Sequence, residues 1–333
     1  MNISGTSRVS FLKDNYGRII DYLRLAVTDR CNLRCQYCMP EEGIQSVLHD
    51  QILTYEEALR LINIFSGLGI KKLRITGGEP FVRKGLIKFI ESVSKLNSAP
   101  AIHITTNGVL LRQYLSALKE LGISGINLSL DTLDKEKFKS ITKRDFLSEV
   151  LKTLYEIINL KIPVKINTVV SEDFNTDEIS NIAAIAKDKD VEVRFIEQMP
   201  FNGKSRSIKF ISSREILSIL QKTFNEVIPL YSNSTANLFS IPGFKGKIGL
   251  IQSYSRLFCN SCNRIRITST GMLKTCLYDN GVLDLREMLR INYSDYEIKE
   301  AIIDCVNRKF KNGFEAENIL KVRLKNSMAS IGG

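Results

Sequence analysis

Asp29-Arg30-Cys31-Asn32-Leu33-Arg34-Cys35-Gln36-Tyr37-Cys38-Met39-Pro40 places three thiols close together, in the spacing C-x3-C-x2-C. A loop this short can present three thiolates to one face of a metal centre, whereas a closed structural zinc site takes four ligands. If the centre is a 4Fe-4S cluster, three cysteines leave one iron open to an external ligand. The stretch therefore predicts a reactive iron-sulfur site with Cys31, Cys35 and Cys38 as ligands.

Two other uses of these cysteines remain open from the spacing alone. A zinc site needs a fourth ligand, and the two histidines, His49 and His103, are not in metal-ligand spacing with the loop. A disulfide framework is typical of short secreted chains, and the N-terminus shows no apolar run of the signal-peptide type. Iron and sulfur are therefore the leading interpretation.

The charge balance favours an anionic partner. The chain has 333 residues with 47 Lys and Arg against 36 Asp and Glu, a formal net charge of +11. Because no long run of like charges and no RNA-binding signature occurs, we expect a polyanionic small molecule and no nucleic acid. No long uncharged apolar stretch occurs either, so we expect no membrane contact and a cytoplasmic location.

Apolar runs alternate with amphipathic helical segments through the first two thirds of the chain. One such helix, Tyr55 to Phe65, begins with a capping box of Thr54 and Glu57. Strands that alternate with helices predict an α/β fold with a parallel sheet, here a partial (β/α)6 TIM-like barrel, since a full barrel needs about eight strands. The six runs are Leu23 to Thr28, Lys72 to Thr76, Ala101 to Thr106, Gly125 to Leu130, Val164 to Val169 and Val191 to Glu197.

Within each run, alternate side chains point to opposite faces of the sheet. One face is apolar and suits packing against helices. The other face is polar and carries Arg24 and Thr28; Lys72, Arg74 and Thr76; His103 and Thr105; Asn127 and Ser129; Lys165 and Asn167; Glu192 and Arg194. This polar row predicts an open, wide barrel lined for an anionic ligand, although the opposite phase, with the cations facing water, stays open for any single strand.

Functional residues of such sheets lie at the carboxyl ends of the strands. Thr76-Gly77-Gly78-Glu79-Pro80 follows the second run, Asp131 the fourth and Gln198-Met199-Pro200 the sixth. The glycines allow a close approach of the backbone to a ligand, and Glu79 offers an acceptor for an ammonium group.

We divide the chain into a barrel, residues 1–224, and a C-terminal region, residues 225–333, whose first part to residue 258 is predicted to be loop-rich. Cys259, Cys262 and Cys276 form a second group of three thiols. A hairpin of Arg264 to Thr268 and Met272 to Leu277 would bring Cys276 back to the other two. Zinc, with Cys305 recruited as a fourth ligand, remains an alternative, and a buried small hydrophobic role for Cys305 is favoured.

The strand after Cys262 carries two more cations. Arg264 and Arg266 share one face of it, which favours a phosphate site over a solvated edge. The terminal Gly332-Gly333 would by default be frayed.

Four segments together resemble the GTP 3′,8-cyclase family of molybdenum cofactor biosynthesis. They are Cys31 to Cys38, Gly77 to Pro80, Phe258 to Arg266 with Cys276, and Gly332-Gly333. The first alone is similar to the radical S-adenosylmethionine (SAM) superfamily, and the others make the likeness specific, from about Asp21 to Gly333. Family members often carry Gly-Pro-Ala where this chain has Ser234-Thr235-Ala236.

The resemblance implies a partial (β/α)6 barrel whose C-terminal segment carries a second 4Fe-4S cluster. It implies Cys31, Cys35 and Cys38 as ligands of the SAM cluster, and Cys259, Cys262 and Cys276 as ligands of the other. The implied SAM contacts are Tyr37, Gly78, Glu79, Ser129 and Met199. The implied GTP contacts are Arg24, Lys72, Arg74, Thr105, Lys165, Arg194, Arg264 and Arg266, and the implied catalytic tail is Gly332 with Gly333.

The implied activity converts GTP to (8S)-3′,8-cyclo-7,8-dihydroguanosine 5′-triphosphate. Its implied partners are an electron donor and, functionally, the cyclic pyranopterin monophosphate synthase that uses the product, while a homodimer stays open. Three rival interpretations remain. A peptide-modifying radical SAM enzyme would not bind GTP, and a zinc protein that binds nucleic acid would not cleave SAM. A degenerate homologue would keep its clusters for structure only, and the intact sets of three cysteines and the terminal Gly-Gly argue against it.

Overall fold

Six consecutive β/α units form the first part of the protein in the computed structural model, which describes residues 11–40, 42–44, 47–199, 210–232, 235–320 and 328–332. Their strands are β1 (Tyr22–Ala26), β2 (Lys72–Thr76), β3 (Ala101–Thr106), β4 (Gly125–Ser129), β5 (Val164–Val170) and β6 (Glu192–Glu197). All neighbouring pairs from β1 to β6 are parallel. The six predicted strands are therefore confirmed, two of them with the predicted bounds and the others with ends that differ by at most two residues.

The helices of these units cover one face of the sheet. They are α1 (Tyr55–Gly67), α2 (Leu86–Ser94), α3 (Leu115–Glu120), α4 (Lys135–Thr142), α5 (Leu147–Asn159), α6 (Ile179–Ala183), α7 (Ile185–Asp188) and α8 (Ser213–Phe224). The predicted capping box of α1 is present: the Thr54 side chain accepts from Glu57 N, and Glu57 accepts from Thr54 N.

The C-terminal region adds six further strands to the same sheet. They are β7 (Ile228–Leu230), β8 (Asn237–Ser240), β9 (Lys247–Ile251), β10 (Arg264–Ile267), β11 (Met272–Lys274) and β12 (Leu283–Asp284). The order is β12-β11-β10-β1-β2-β3-β4-β5-β6-β9-β8-β7. The predicted hairpin is confirmed as β10 and β11. β7, β8 and β9 lie within residues 225–258, so the segment predicted to be loop-rich also contains three short strands, while most of its described residues lie outside regular elements.

Two of these strands extend the parallel part of the sheet. β10 pairs in parallel with β1, and β9 pairs in parallel with β6. Hairpins continue beyond both, so the described sheet stays open, as a partial barrel requires. Four helices complete the region: α9 (Leu285–Arg290), α10 (Asp295–Asn307), α11 (Gly313–Leu320) and α12 (Met328–Ile331).

The two faces of the sheet differ as the alternation predicts. Leu23, Ile75, Ile104 and Ile166 are fully buried on the helical side and belong to one apolar core that reaches from Leu12 to Val306. The polar row lies on the opposite, concave side. Because this core spans residue 224, strands from both predicted regions share it, and the division of the chain at that residue stays a prediction. None of the described helices is long and apolar enough to cross a membrane.

Candidate functional site

One cavity of about 670 Å³ opens on the concave side of the sheet. This volume suits small-molecule ligands. Of the predicted site residues, those that line it are Cys31, Cys35, Cys38, Cys259, Cys262, Cys276, Tyr37, Gly78, Ser129, Met199, Arg24, Lys72, Arg74, Thr105, Lys165, Arg194, Arg264 and Arg266. Glu79 and Gly332 are not among the lining residues, and Gly333 lies outside the described residues.

The first three cysteines lie in the loop after β1, at one end of the cavity. Two glycines after β2 let the loop that contains them pack closely against the start of the cysteine loop after β1. A Cβ at Gly77 would lie 2.3 Å from the Thr28 carbonyl oxygen, and one at Gly78 would lie 2.3 Å from that of Arg30. The Gly78 amide donates to the Thr28 carbonyl over 2.9 Å. Only glycine permits this contact.

Polar groups surround the first cysteine group. The Leu33 amide donates to Cys31 Sγ over 3.4 Å, and Asn107 Nδ2 approaches the same sulfur at 3.8 Å. Burial raises the pKa of Cys31 to about 11. A buried thiol of this kind loses its proton when a metal cation binds, because the cation stabilises the thiolate.

Tyr37 is fixed at the mouth of this loop by Asp131, which follows β4. The Tyr37 hydroxyl donates to Asp131 Oδ2 over 2.7 Å, and the Val169 amide donates to Asp131 Oδ1 over 2.8 Å. Tyr37 and Asp131 both line the cavity. The predicted SAM contact at Tyr37 is thus held in a defined orientation.

Glu79 acts within the loops rather than at the cavity surface. It is almost fully buried and accepts hydrogen bonds from Thr106 Oγ1 at 2.8 Å, Asn107 N at 2.8 Å and Phe81 N at 3.2 Å. Burial raises its pKa to about 7. These contacts fasten the loop after β2 to the loop after β3, which carries Asn107 to the cysteines. The geometry favours a positioning role for Glu79.

Cations from three adjacent strands lie side by side at the other end. The parallel register places Arg24 between Arg74 and Arg266, which are its partners on β2 and β10. Such partners lie about 4.8 Å apart between backbones. Burial and then Arg264 lower the pKa of Arg266 to about 10. This crowding of like charges makes the surface suited to a multivalent anion.

Lys165 and Arg194 form a second basic pair, which shares one carboxylate. Lys165 Nζ donates to Glu192 Oε2 over 2.7 Å, and Arg194 Nε donates to Glu192 Oε1. Glu192 therefore orients both cations. Thr105 on β3 lines the same cavity and accepts a hydrogen bond from Arg74 Nη1 at 3.3 Å.

The second cysteine group is held by two buried cations from distant parts of the chain. Arg18 Nη1 donates to the carbonyls of Cys259, at 2.8 Å, and Lys311, at 2.7 Å. Lys309 Nζ donates to the carbonyls of Arg264, at 3.2 Å, and Thr275. The segment after α10 is thus tied to the backbone beside all three cysteines.

These cations also change the acidity of the thiols. Burial by itself would raise the pKa of Cys262, but Lys309 and Arg264 lower it below its ordinary value. The second group therefore lies in more cationic surroundings than the first. Cys305 is buried in the apolar core within α10 and does not line the cavity.

Gly332 is not a lining residue, but it lies beside Arg266, which lines the cavity. Arg266 Nη1 donates to the Gly332 carbonyl, and Gly332 has a left-handed φ of +76°. A Cβ there would lie 2.8 Å from Thr76 Cγ2 and 3.3 Å from Ala26 Cβ. Gly332 is therefore packed against the ends of β1 and β2.

Both cysteine groups fit a multi-iron cluster. Among the described residues, no three His, Cys, Asp or Glu side chains are arranged to hold a single metal ion. In a 4Fe-4S cluster each cysteine binds a different iron, so three thiols need to surround a space rather than meet at one point. The cysteines of both groups line the cavity, and three thiolates are the donor set that such a cluster takes with one iron left open.

Sequence reasoning missed Tyr22, Arg18 and Lys309. Tyr22 lies two residues before Arg24 on the same face of β1 and could have been assigned to the polar row, but its ring resembles a core residue. Arg18 and Lys309 give no local signal, because their partners lie far away in sequence.

The two parts of the chain match two family models. Residues 25–186 match the Radical SAM superfamily, and residues 191–314 match Molybdenum Cofactor Synthesis C. The crystal structure of Streptococcus suis SuiB bound to S-adenosylmethionine aligns with a TM-score of 0.64 at 14% identity, over 92% of this chain and 76% of that one. This likeness shows the fold and confirms the α/β class.

Curated relatives extend the match over nearly the full length. The GTP 3′,8-cyclase of Clostridium perfringens (strain 13 / Type A) is 41% identical over 326 residues, which is 97% of this chain and 100% of the relative. That of Thermodesulfovibrio yellowstonii is 40% identical over 327 residues, with the same coverage. The chain is accordingly a radical SAM enzyme that uses SAM and an iron-sulfur cluster. It belongs to the GTP 3′,8-cyclase family of molybdenum cofactor biosynthesis.

Proposed function

We propose that the cavity binds SAM at the first cysteine group and GTP between the basic lining residues and the second cysteine group. The enzyme would convert this GTP to (8S)-3′,8-cyclo-7,8-dihydroguanosine 5′-triphosphate. The observation that carries the proposal is that one cavity is lined by both groups of three cysteines and by the basic residues between them. Family membership supports the reaction.

At the SAM end, Cys31, Cys35 and Cys38 would hold a 4Fe-4S cluster. With SAM bound and one electron supplied by a donor, such a cluster would provide the 5′-deoxyadenosyl radical that takes the C3′ hydrogen of GTP. Closing the bond from C3′ to guanine C8 would then need one further electron and one proton. The chain's own part is orientation. Tyr37, held by Asp131, and the backbone at Gly78 border the SAM space, and Ser129 and Met199 line it from β4 and from the end of β6.

At the GTP end, the basic residues would bind the triphosphate. A triphosphate carries roughly four negative charges, which charge-assisted hydrogen bonds from several guanidinium and ammonium groups can satisfy. Residues from six strands supply these groups or an adjacent hydroxyl: Arg24, Lys72, Arg74, Thr105, Lys165, Arg194, Arg264 and Arg266. Fixing the phosphates would place the ribose between the two cysteine groups and exclude water from it.

Cys259, Cys262 and Cys276 would hold a second 4Fe-4S cluster, whose open iron would be available as a ligand site for the guanine. Two observations support a second cluster: the three thiols line the same cavity, and Arg18 and Lys309 fix the backbone beside them. Gly332 and Gly333 would serve catalysis from the tail, since the Gly332 carbonyl accepts from Arg266. Arg266 also lines the cavity.

The reaction implies partners beyond GTP. An electron donor must reduce the SAM cluster, and a cyclic pyranopterin monophosphate synthase would consume the product. We place the enzyme in the cytoplasm, where GTP and SAM are available, without nucleic-acid or membrane partners. A homodimer remains a proposal without a described interface.

The test is anaerobic reconstitution with iron and sulfide, followed by addition of SAM, GTP and a strong reductant. Mass spectrometry should detect 5′-deoxyadenosine together with a cyclised isomer of GTP. Deoxyadenosine with unaltered GTP would move the substrate to another class, such as a peptide. Neither product, with zinc in the purified protein, would contradict the iron-sulfur assignment.

A further inference from the structure

Tyr22 occupies the centre of the basic surface at the GTP end of the cavity. The register of β10, β1 and β2 forms two rows of three residues. One row is Arg266, Arg24 and Arg74, and the other is Arg264, Tyr22 and Lys72. Five of the six positions are cationic, and Tyr22 is the exception.

The contacts of Tyr22 reach its neighbours in both rows. The Lys72 ammonium lies 4.8 Å from the ring centroid, the Arg264 guanidinium 5.3 Å and that of Arg74 5.8 Å. The Tyr22 hydroxyl also accepts a hydrogen bond from Arg74 Nε. The ring is only 6% exposed, so these cation-π contacts are largely shielded from water, where they are strongest.

The cations need such a neighbour because they repel one another. Among the described residues, no carboxylate forms an ion pair with Lys72, Arg74 or Arg264. Glu192 is already shared by Lys165 and Arg194. An electron-rich ring with an acceptor oxygen can hold three cations apart and in place, which a purely aliphatic side chain cannot do.

We propose that Tyr22 is a positioning residue for the triphosphate: its ring and hydroxyl hold Lys72, Arg74 and Arg264 in their binding arrangement before GTP arrives. This inference rests on the proposed function of the cavity. In the free enzyme, Tyr22 takes the place of the anion: it fixes the charged groups but does not fill the phosphate space.

The electrostatics of the site agree with this role. Burial by itself would raise the pKa of Tyr22, but Arg74, Arg24, Arg264 and Lys72 outweigh it and lower the pKa to about 6. The groups that face the phenol are Arg24 on β1, Lys72 and Arg74 on β2, and Arg264 and Arg266 on β10. All are cations. At neutral pH the free site thus favours a phenolate, whose charge the triphosphate would replace.

The test uses the reconstituted full-length enzyme and two substitutions. Tyr22→Leu removes the ring and the oxygen, and Tyr22→Phe keeps the ring alone. Calorimetric titration with sodium tripolyphosphate should show binding to Tyr22→Leu weakened about tenfold. The KM for GTP should rise by a similar factor, with kcat within about twofold of wild type.

The pH dependence separates positioning from simple packing. Above about pH 6 the phenol of wild type has lost its proton, and binding of an anion requires the phenol to take up a proton again. Tripolyphosphate affinity should therefore fall as pH rises above about 6, by up to tenfold per pH unit. The tripolyphosphate affinity of Tyr22→Phe should not show this pH dependence. The titration of tripolyphosphate itself is common to both proteins and cancels in the comparison.

Tyr55 supplies matched controls, since it too carries a cation on its ring, with Arg83 at 4.0 Å, and lies outside the cavity. Tyr55→Leu and Tyr55→Phe should bind tripolyphosphate as wild type does. The inference is overturned if Tyr22→Leu binds tripolyphosphate as tightly as wild type, or if the pH profiles of Tyr22→Phe and wild type are parallel. In either case, GTP binding by wild type would preserve the proposed function. If wild type binds neither tripolyphosphate nor GTP, both fail.

Discussion

The guanidinium of Arg18 donates a hydrogen bond to the carbonyl of Cys259 over 2.8 Å, across 241 positions of the chain. Arg18 is itself held by a buried ion pair with Asp14. We predict that Arg18→Met lowers the iron content of the second cysteine group and leaves SAM cleavage at the first intact. The unpaired Asp14 should also cost about 3 kcal/mol of stability. Iron analysis, electron paramagnetic resonance and thermal unfolding measure these effects.

A surface arginine provides the control for Arg18. Arg60 also joins distant segments, through Asp295, but this pair is exposed. Arg60→Met should cost about 0.5 kcal/mol or less and leave the iron content unchanged. A similar iron loss in both variants would mean that Arg18 has no special relation to the second cysteine group.

Lys309 is predicted to tune the second cluster by its charge. Its buried ammonium donates to the carbonyls of Arg264, near Cys262, and Thr275, next to Cys276, and it lowers the pKa of Cys262. Lys309→Met should make the reduction potential of that cluster more negative, by about 1 kcal/mol or roughly 50 mV for one electron. A redox titration measures the shift, with exposed Lys95→Met as the control. An unchanged potential would contradict the role.

Local periodicity explains why much of the site could be predicted from the sequence. The period-two alternation in β1 to β6 depends only on neighbouring residues, so it placed Arg24, Lys72 and Lys165 on the cavity face. The cysteine spacing is equally local. The family resemblance then supplied roles that the alternation alone does not specify.

Long-range pairing explains what could not be predicted. β9 and β10 are short and follow loops rather than helices, so nothing near them in sequence indicates that they pair in parallel with β6 and β1. The contact of Lys309 with the Thr275 carbonyl depends on how α10 packs. Tyr22 has the sequence character of a core residue, and only the register across three strands reveals its cationic neighbours.

Cys276 and Cys305 should behave differently when replaced. Cys276 lines the cavity, whereas Cys305 is packed in the apolar core. Cys276→Ala should therefore remove the second cluster and abolish cyclisation of GTP. Cys305→Ala should keep the iron of both clusters and cost about 1 kcal/mol of stability. Loss of iron in Cys305→Ala would instead indicate that Cys305 is a fourth ligand of the second metal centre.

His103 should make the protein more sensitive to acid. Burial, and then Lys72, Arg74, Lys165 and Arg194, lower its pKa to about 3, so the folded state keeps it neutral. A depressed pKa contributes stability that is present above the ordinary value of 6.5 and is lost as pH falls toward 3. His103→Asn should reduce the slope of stability against pH in this window by roughly 1 kcal/mol per pH unit, after allowance for partial exposure.

Thermal unfolding between the two pKa values of His103 measures this slope. The control is His49→Asn, because His49 is exposed and lies away from the basic rows. Parallel curves for wild type and His103→Asn would show that the cations do not act on His103.

Gly332 is predicted to be required for its fit at the ends of β1 and β2. Gly332→Ala would place a Cβ 2.8 Å from Thr76 Cγ2 and would strain a φ of +76°. The tail must then move away from Arg266, and we expect kcat to fall about 100-fold while both clusters and SAM binding remain. Gly243→Ala separates fit from strain, because Gly243 has a φ of +81° and a Cβ there meets nothing within 4 Å. Equal losses in the two variants would mean that backbone strain, rather than the contact of the tail with the cavity, limits the reaction.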